Sequence, residues 1–419
     1  MKKYFTRAAL IIAAQNFYSG LPLALTAATL TAWLHDAGVE KATIGLFAAV
    51  GTPYAFKFVW SPLVDGARLP LLGRLGRRRS WLLLTQALLT AAVAVMALTR
   101  PDVDAGLTAL LAVGVATLSA TEDIAVDAYR VERLAADEQG TGAAMAIFGY
   151  RIGMLVTGAG SLALADIVGW HGTYLLMAGL MATGVMFTLC IKEPQVPDAY
   201  AKPSKAPALA RVQAFIRDSV IAPFADFMTR PHWLMVLLFV IVYKLGDAFM
   251  GAMFNPFLLD LGFAKTQIAE VVKIYGLAAT LAGGFVGGAI VARLGVFRTL
   301  VLGGLLHMLT NFMLVALATR GANVPFLAAS IVLENLTAGV TGVAFIAYLS
   351  ALCERHYTAT QYALLSSLAA FGRTWLSTPS GVLAQAVGWP VFFTISSLMA
   401  MPGVLLLCWL QRRRGIKTA

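Results

Sequence analysis

Apolar runs long enough to cross a bilayer recur from one end of this chain to the other, and nothing else in the sequence restricts the fold so severely. They fall at about 8–34, 41–64, 80–99, 105–128, 140–166 and 171–191, then after a polar break at about 232–259, 266–292, 298–318, 324–350, 361–386 and 389–411. About 20 residues of helix cover a hydrocarbon core roughly 30 Å thick, so each run has spanning length. Composition agrees: 59% of the 419 residues are hydrophobic and 13% are charged, where soluble domains average about 45–50% and about 25%. The expected fold is all-α and integral to a membrane, with twelve transmembrane helices.

Charge sets the expected orientation. The formal net charge is +11, and most Lys and Arg fall in one alternate set of loops and at both termini. Arg74, Arg77, Arg78 and Arg79 form one cluster, and Arg412, Arg413 and Arg414 another. Basic loops stay on the cytoplasmic side and meet anionic lipid headgroups there, so both termini are placed inside. No aromatic-basic recognition module accompanies these clusters, which argues against nucleic acid as partner. Lys2, Lys3 and Arg7 precede an apolar stretch too long for a signal-peptide core, which reads as an uncleaved first span. Cys190, Cys353 and Cys408 lie near cytoplasmic span ends without CxxC spacing, so no disulfide is expected.

The longest break, 192–231, separates residues 1–191 from 232–419. Pro194, Pro197, Pro203 and Pro207 disfavour regular structure at its start. Beyond them Leu209, Val212, Phe215, Ile216, Val220, Phe224 and Phe227 recur at helical spacing, with Arg211, Arg217 and Asp218 elsewhere. This pattern fits an amphipathic helix on the cytoplasmic interface, interrupted at Pro223. The two flanking halves repeat one another. A shift of 224 aligns Leu34, Asp36, Gly38, Lys41 and Ile44 with Leu258, Asp260, Gly262, Lys265 and Ile268. A shift of 219 aligns Ala128-Tyr129 with Ala347-Tyr348, Thr141 with Thr360, and Val168-Gly169-Trp170 with Val387-Gly388-Trp389. Six spans plus six in parallel repeat is the arrangement of major facilitator transporters, whose site lies near the membrane midplane between the halves.

Arg151, Lys244, Asp247, Glu334 and Arg373 sit near the middles of apolar runs. A charge at bilayer depth costs at least about 2.5–3.5 kcal/mol, so it faces a partner or a wet cavity, and five together point to a polar route. Asp123, Asp127 and Arg130 stand at i, i+4 and i+7, on one helical face. This trio reads either as proton-carrying carboxylates or as an inner-face lock of Asp127 and Arg130 with Asp65. Lys244 and Asp247, at i, i+3, either neutralise one another or serve substrate and proton. Arg151 and Arg373 occupy equivalent fifth and eleventh spans, and their guanidiniums suit carboxylates of a substrate or a helix-to-helix pair with Glu334. Asp123, Asp127, Asp247 and Glu334 are therefore the candidate proton-coupling groups. Gln15, Asn16, Tyr18, Tyr150, Arg151, Lys244 and Arg373 are the candidate substrate contacts, and Lys57 reads as a snorkelling lysine. Tyr54, Tyr243, Tyr275 and Trp375 read mainly as packing. Asn255-Pro256 favours a kink. The five histidines show no metal-ligand spacing, and no cofactor is expected.

After the second run the chain reads Asp65-Gly66-Ala67-Arg68, then Gly73-Arg74 and Gly76-Arg77-Arg78-Arg79. It is similar to the inner-loop signature of the major facilitator superfamily, with several extra residues. That likeness implies gating roles for Asp65 and Arg77, and the inner-face lock reading adds Arg130. The second half keeps only Ala292-Arg293-Leu294-Gly295, with Ile290 at the position of the acid.

Tyr18-Ser19-Gly20-Leu21-Pro22, Trp60-Ser61-Pro62-Leu63-Val64-Asp65, Asp123-Ile124-Ala125-Val126-Asp127-Ala128-Tyr129, Tyr150-Arg151-Ile152-Gly153, Tyr243-Lys244-Leu245-Gly246-Asp247 and Thr360-Gln361-Tyr362-Ala363-Leu364 resemble the AmpG-type muropeptide permeases. The resemblance covers nearly the whole chain in order. It implies a major facilitator fold in the inner membrane of a Gram-negative bacterium, acting as a monomer. It also implies proton-driven import of N-acetylglucosaminyl-1,6-anhydro-N-acetylmuramyl peptides for cell-wall recycling. Glu122 stands where that family usually has Gln. Carriers of acetyl-CoA and of siderophores share part of the Asp123 pattern, which leaves another anionic solute as the alternative. No Gly-x-x-x-x-Gly-Lys-Ser/Thr phosphate loop is present, which argues for an ion gradient over ATP. A membrane-embedded enzyme would need a nucleophile–base pair or a metal constellation, and neither stands out.

Overall fold

The computed structural model describes residues 2–195, 213 and 216–414, and every regular element among them is a helix. Eight helices among the described residues are long and apolar enough to cross a membrane. Two of these, Gln139–Cys190 and Leu277–Arg320, are each a pair of helices joined at a glycine with positive φ, Gly169 (69°) and Gly295 (79°). Such backbone angles suit a residue without Cβ, and they let the chain reverse with almost no loop.

Several expected spans are discontinuous. The first is Arg7–Thr26 followed by Ala28–Asp36, broken at Ala27 (φ −116°, ψ −106°). The second is a chain of short α and 3-10 pieces from Lys41–Leu46 to Ser61–Gly66, a stretch rich in Gly and Pro. The seventh is Trp233–Val242 and Leu245–Asp260, with Lys244 at the break (φ −102°, ψ 4°). Helix Leu245–Asp260 runs on through Pro256, so the interruption lies at 243–244 instead of at Asn255-Pro256. The described part of the 192–231 segment is a π-helical turn, Ile216–Ile221, leading into helix Ala222–Met228. The wide turn accommodates Pro223, which has no N–H to donate. Ser219, Pro223 and Phe227 form its buried stripe while Ile216 and Ile221 are exposed. Leu209, Arg211, Val212 and Phe215 lie outside the described residues.

The chain divides into two compact units. One comprises Met1–Ala135, Met145–Ala225 and Cys353–Ser367; the other comprises Ala136–Ala144, Asp226–Leu352 and Leu368–Ala419. The division departs from the two sequence halves at two segments, 136–144 and 353–367. These are repeat-equivalent, since adding 219 to the first places it inside the second. In the first unit a core around Leu21, Leu30, Trp33, Met96, Tyr174 and Met177 sits at one end, and a second around Val64, Leu82, Ile124 and Tyr129 takes in Ala359 and Ala363. The other unit is built around Phe249, Phe257, Leu314, Leu327 and Phe393.

The internal repeat has a physical counterpart in each unit. Trp170 Nε1 donates to Asp36 Oδ2 at 3.0 Å, and Trp389 Nε1 donates to Asp260 Oδ2 at 3.1 Å. Trp33 packs against Trp170 and Tyr174 just as Phe257 packs against Trp389 and Phe393. The aligned residues therefore form the same clasp twice, an aromatic cluster closed by one indole–carboxylate hydrogen bond. Close helix approach follows a small-residue rule: a Cβ on Gly149 or Gly153 would stand 2.0 or 2.2 Å from the carbonyl oxygens of Ala13 and Phe17.

Candidate functional site

In the first unit, helix Ala105–Arg133 carries three of the candidate charges, Asp123, Asp127 and Arg130. Asp123 accepts a short hydrogen bond from Ser19 Oγ, and its other oxygen lies 3.7 Å from Lys57 Nζ. Lys57 is buried, held at a 3-10 turn of the broken second span, so it pairs inward instead of snorkelling to the surface. That is a correction to the sequence reading, and it makes Lys57 a partner of the carboxylate. Asp127 pairs with Arg130 at 3.5 Å, and the Arg130 guanidinium lies over the Tyr362 ring at 5.2 Å.

One turn away is a closed ring of buried amides. Gln86 Nε2 donates to Glu122 Oε1 at 2.9 Å and lies 3.4 Å from Gln15 Oε1; Thr188 Oγ1 donates to Gln86 Oε1 at 2.7 Å, and Gln15 Nε2 donates to Thr188 Oγ1 at 3.0 Å. Gln15 was expected to face a substrate, yet its amide is spent inside this ring. Asn16 likewise donates to its own helix at Ile12 O, 2.8 Å away. Buried amides without water find protein partners, which explains both. Tyr18 packs on Phe17 and Phe187 with its hydroxyl 3.2 Å from Thr183 Oγ1, and Tyr150 is partly buried. Arg151 is exposed. At 100° per residue it points away from the Gly149–Gly153 face that meets helix Arg7–Thr26.

The inner-loop signature builds a buried ionic cluster. Asp65 and Arg78 are both 0% exposed, and Arg78 Nη2 donates to Asp65 Oδ1 at 2.6 Å. Arg78 Nε donates to Glu132 Oε1 at 3.0 Å, and Arg77 reaches the same Glu132 oxygen at 3.0 Å. Asp65 also accepts the backbone N–H groups of Thr360 (2.7 Å) and Ala359 (3.3 Å), at the start of helix Thr358–Trp375. A carboxylate at a helix N-terminus satisfies unpaired amides and complements the helix dipole. This is how segment 353–367 joins the first unit. Arg78 and Glu132 were missed in the sequence: three consecutive arginines give no sign of which one is buried. Glu193 adds a second carboxylate cap, accepting the Arg78 and Arg79 amides at 2.7 and 2.9 Å beside Gly76. Burial pushes the Glu193 carboxyl up from its ordinary value, and the two amides oppose this only in part.

In the other unit the break at Lys244 aims the lysine at its own following turn. Lys244 Nζ donates to Asp247 Oδ2 at 2.8 Å and lies 3.5 Å from Thr341 Oγ1. The second Asp247 oxygen is 2.7 Å from His307 Nε2. This is an ion pair by distance, although the ring N–H is not aligned as a straight hydrogen bond. His307 is a further missed residue; metal spacing was the only test applied to it, and its partner lies 60 positions away. Glu334 accepts from Asn335 Nδ2 at 2.7 Å, and Asn335 in turn meets Thr280. The Arg373 side chain lies outside the described residues. No group of His, Cys, Asp and Glu suited to a metal ion occurs among the described residues.

The Major Facilitator Superfamily profile matches residues 12–254 and 236–418. An anhydromuropeptide permease of Escherichia coli K12 is 40% identical over 94% of this chain and 77% of its own length. The chain belongs to the major facilitator superfamily, in its AmpG-type group. A putative transporter AmpG 4 of Rickettsia felis is 37% identical over 95% of both chains. The superfamily fold is also that of the Escherichia coli fucose:proton symporter FucP, which is similar over 97% of this chain and 99% of its own with a TM-score of 0.71 at 12% identity. The human organic anion transporter MFSD10 gives 0.68 at 17% identity, over 96% and 99% of the two chains. This AmpG-type chain is thus a multi-pass membrane transporter.

Proposed function

We propose that this chain carries anhydromuropeptides from the periplasm to the cytoplasm across a bacterial inner membrane, by alternating access and coupled to protons. The observation that carries the solute is the 40% identity to the Escherichia coli anhydromuropeptide permease along nearly the whole chain. A muropeptide joins polar sugars to several carboxylates. The buried Lys57 and the partly exposed Lys244 each sit beside a carboxylate at a helix break, where an arriving anion competes with Asp123 or Asp247 for the lysine. Asp123, Asp127, Asp247 and Glu334 serve as proton acceptors in this reading, and Arg151, Arg373, Tyr18 and Tyr150 contact the solute. Asp65, Arg77 and Arg130, joined by Arg78 and Glu132, hold the cytoplasmic gate. Both termini are cytoplasmic, the protein works without a cofactor as a monomer, and it does not alter its substrate chemically.

Counterflow tests this reading without any gradient. Proteoliposomes loaded with unlabelled anhydromuropeptide are diluted into a trace of labelled solute. A transient overshoot of intact label is expected. Absence of overshoot, or recovery of a cleaved product, rejects the carrier reading.

A further inference from the structure

We propose that His307 shares the coupling proton of the second unit with Asp247, and that this proton sets whether Lys244 is free to bind a carboxylate of the solute. The inference rests on the transport reading above and goes further by naming the residue that binds proton and anion together.

The protonation state follows from the hydrogen-bond partners. Thr337 has one hydroxyl proton, and its oxygen lies 2.8 Å from Glu334 O and 3.0 Å from Leu333 O, the carbonyls of its own helix. The His307 Nδ1 contact is longer, 3.3 Å. The hydroxyl proton therefore goes to the helix backbone, and Thr337 offers His307 a lone pair. Nδ1 must then carry a hydrogen. Nε2 lies 2.7 Å from Asp247 Oδ1, an ion-pair contact although its N–H does not point straight at that oxygen, and a carboxylate this close favours a proton on Nε2 too. The arrangement is that of an imidazolium clamped against a carboxylate.

Asp247 thus has two cationic partners, and the three groups sum to one positive charge. Exposure separates their roles. The side chains of Lys244 and Asp247 are 21% and 25% accessible, while His307 behind them is 4% accessible. A carboxylate arriving at the accessible side replaces Asp247 on Lys244, and Asp247 stays held by His307. When His307 gives up its Nε2 proton, Asp247 has only Lys244 left, and the solute carboxylate is expelled. One proton and one carboxylate therefore bind together or leave together. The other titratable group acting on His307 is Glu334, on helix Val324–Ala351; the nearby Tyr243 hydroxyl is spent on Leu300 O. Glu334 makes no ion pair among the described residues, and its hydrogen bond goes to Asn335, so it sets the background charge without competing for Lys244.

The test is binding of an anhydromuramyl tripeptide to purified protein in weak buffer, read by calorimetry and by a pH indicator. Above the His307 titration wild type is expected to take up about one proton per solute bound, its Kd rising by about tenfold per pH unit, and below it to take up none at constant Kd. His307→Gln should take up none, with Kd changing less than twofold over that range. Asp247→Asn, which removes the competitor for Lys244, should also bind without pH dependence and is an independent check should His307→Gln fold poorly. Full proton uptake in either folded variant overturns the proposal while leaving the transport reading intact. Failure of wild type to bind the tripeptide overturns the transport reading, and the proposal falls with it.

Discussion

Replacing Asp65 by Asn should release the segment that begins at Cys353. The Asp65 carboxylate gives one oxygen to Arg78 and Ala359 and the other to Thr360, all without solvent contact. Asparagine keeps one acceptor oxygen and loses the charge, so Arg78 is left with Glu132 as its carboxylate partner, beside the Val64 carbonyl. Breaking one partner of a buried ion pair costs about 3–5 kcal/mol, and Glu132 argues for the lower end, about 3 kcal/mol. At about 1.4 kcal/mol per decade this raises the population with 353–367 undocked by about a hundredfold. Cys353 is a native reporter, since it opens that segment and is half-buried. In a Cys190→Ser, Cys408→Ser background, maleimide labelling of Cys353 in proteoliposomes should accelerate by one to two orders of magnitude in Asp65→Asn. A rate within twofold of the parent, in protein that melts normally, would show that the carboxylate does not hold this segment.

Other substitutions separate coupling from architecture. Asp123→Asn should abolish gradient-driven accumulation and leave solute exchange partly intact, because Ser19 and Lys57 lose a proton-accepting partner and not a scaffold; survival of accumulation would make Asp123 structural. Glu122→Gln keeps an oxygen for Gln86 Nε2 and removes a buried ionisable carboxyl served by one side-chain donor, so it should raise thermal stability by on the order of 1 kcal/mol. A lower melting temperature would identify Glu122 as a needed anion. Glu193 has a raised carboxyl pKa, so its contribution is present at low pH and fades as pH climbs through the folded-state value. Glu193→Gln should therefore lose less stability than wild type as pH rises above the ordinary Glu value of about 4.3, measured by thermal melts; parallel curves would contradict the assignment.

The helical membrane fold was legible because spanning length and the inner-loop charges leave a recurrent mark along the chain. The repeat was legible for a reason the structure makes concrete: Asp36, Trp170, Asp260 and Trp389 are the residues of the two clasps. Helix breaks were less visible. Lys244 looked like a mid-span lysine, but it stands at the break that starts Leu245–Asp260, a consequence of tertiary packing around Tyr243. The candidate site was legible in part, where partners are near in sequence, as for Lys244 with Asp247. It was illegible where partners come from another helix: Arg78 with Asp65 and Glu132, Gln15 with Thr188, and His307 with Asp247. Periodicity reports the face of a helix and carries no information about which helix it meets.

Accumulation of labelled anhydromuropeptide in proteoliposomes that are acidic outside and alkaline inside tests proton-coupled import most directly. The interior concentration should climb several-fold above the exterior and fall back when a protonophore collapses the gradient. An interior concentration that stops at the outside level while the gradient is intact would contradict proton coupling.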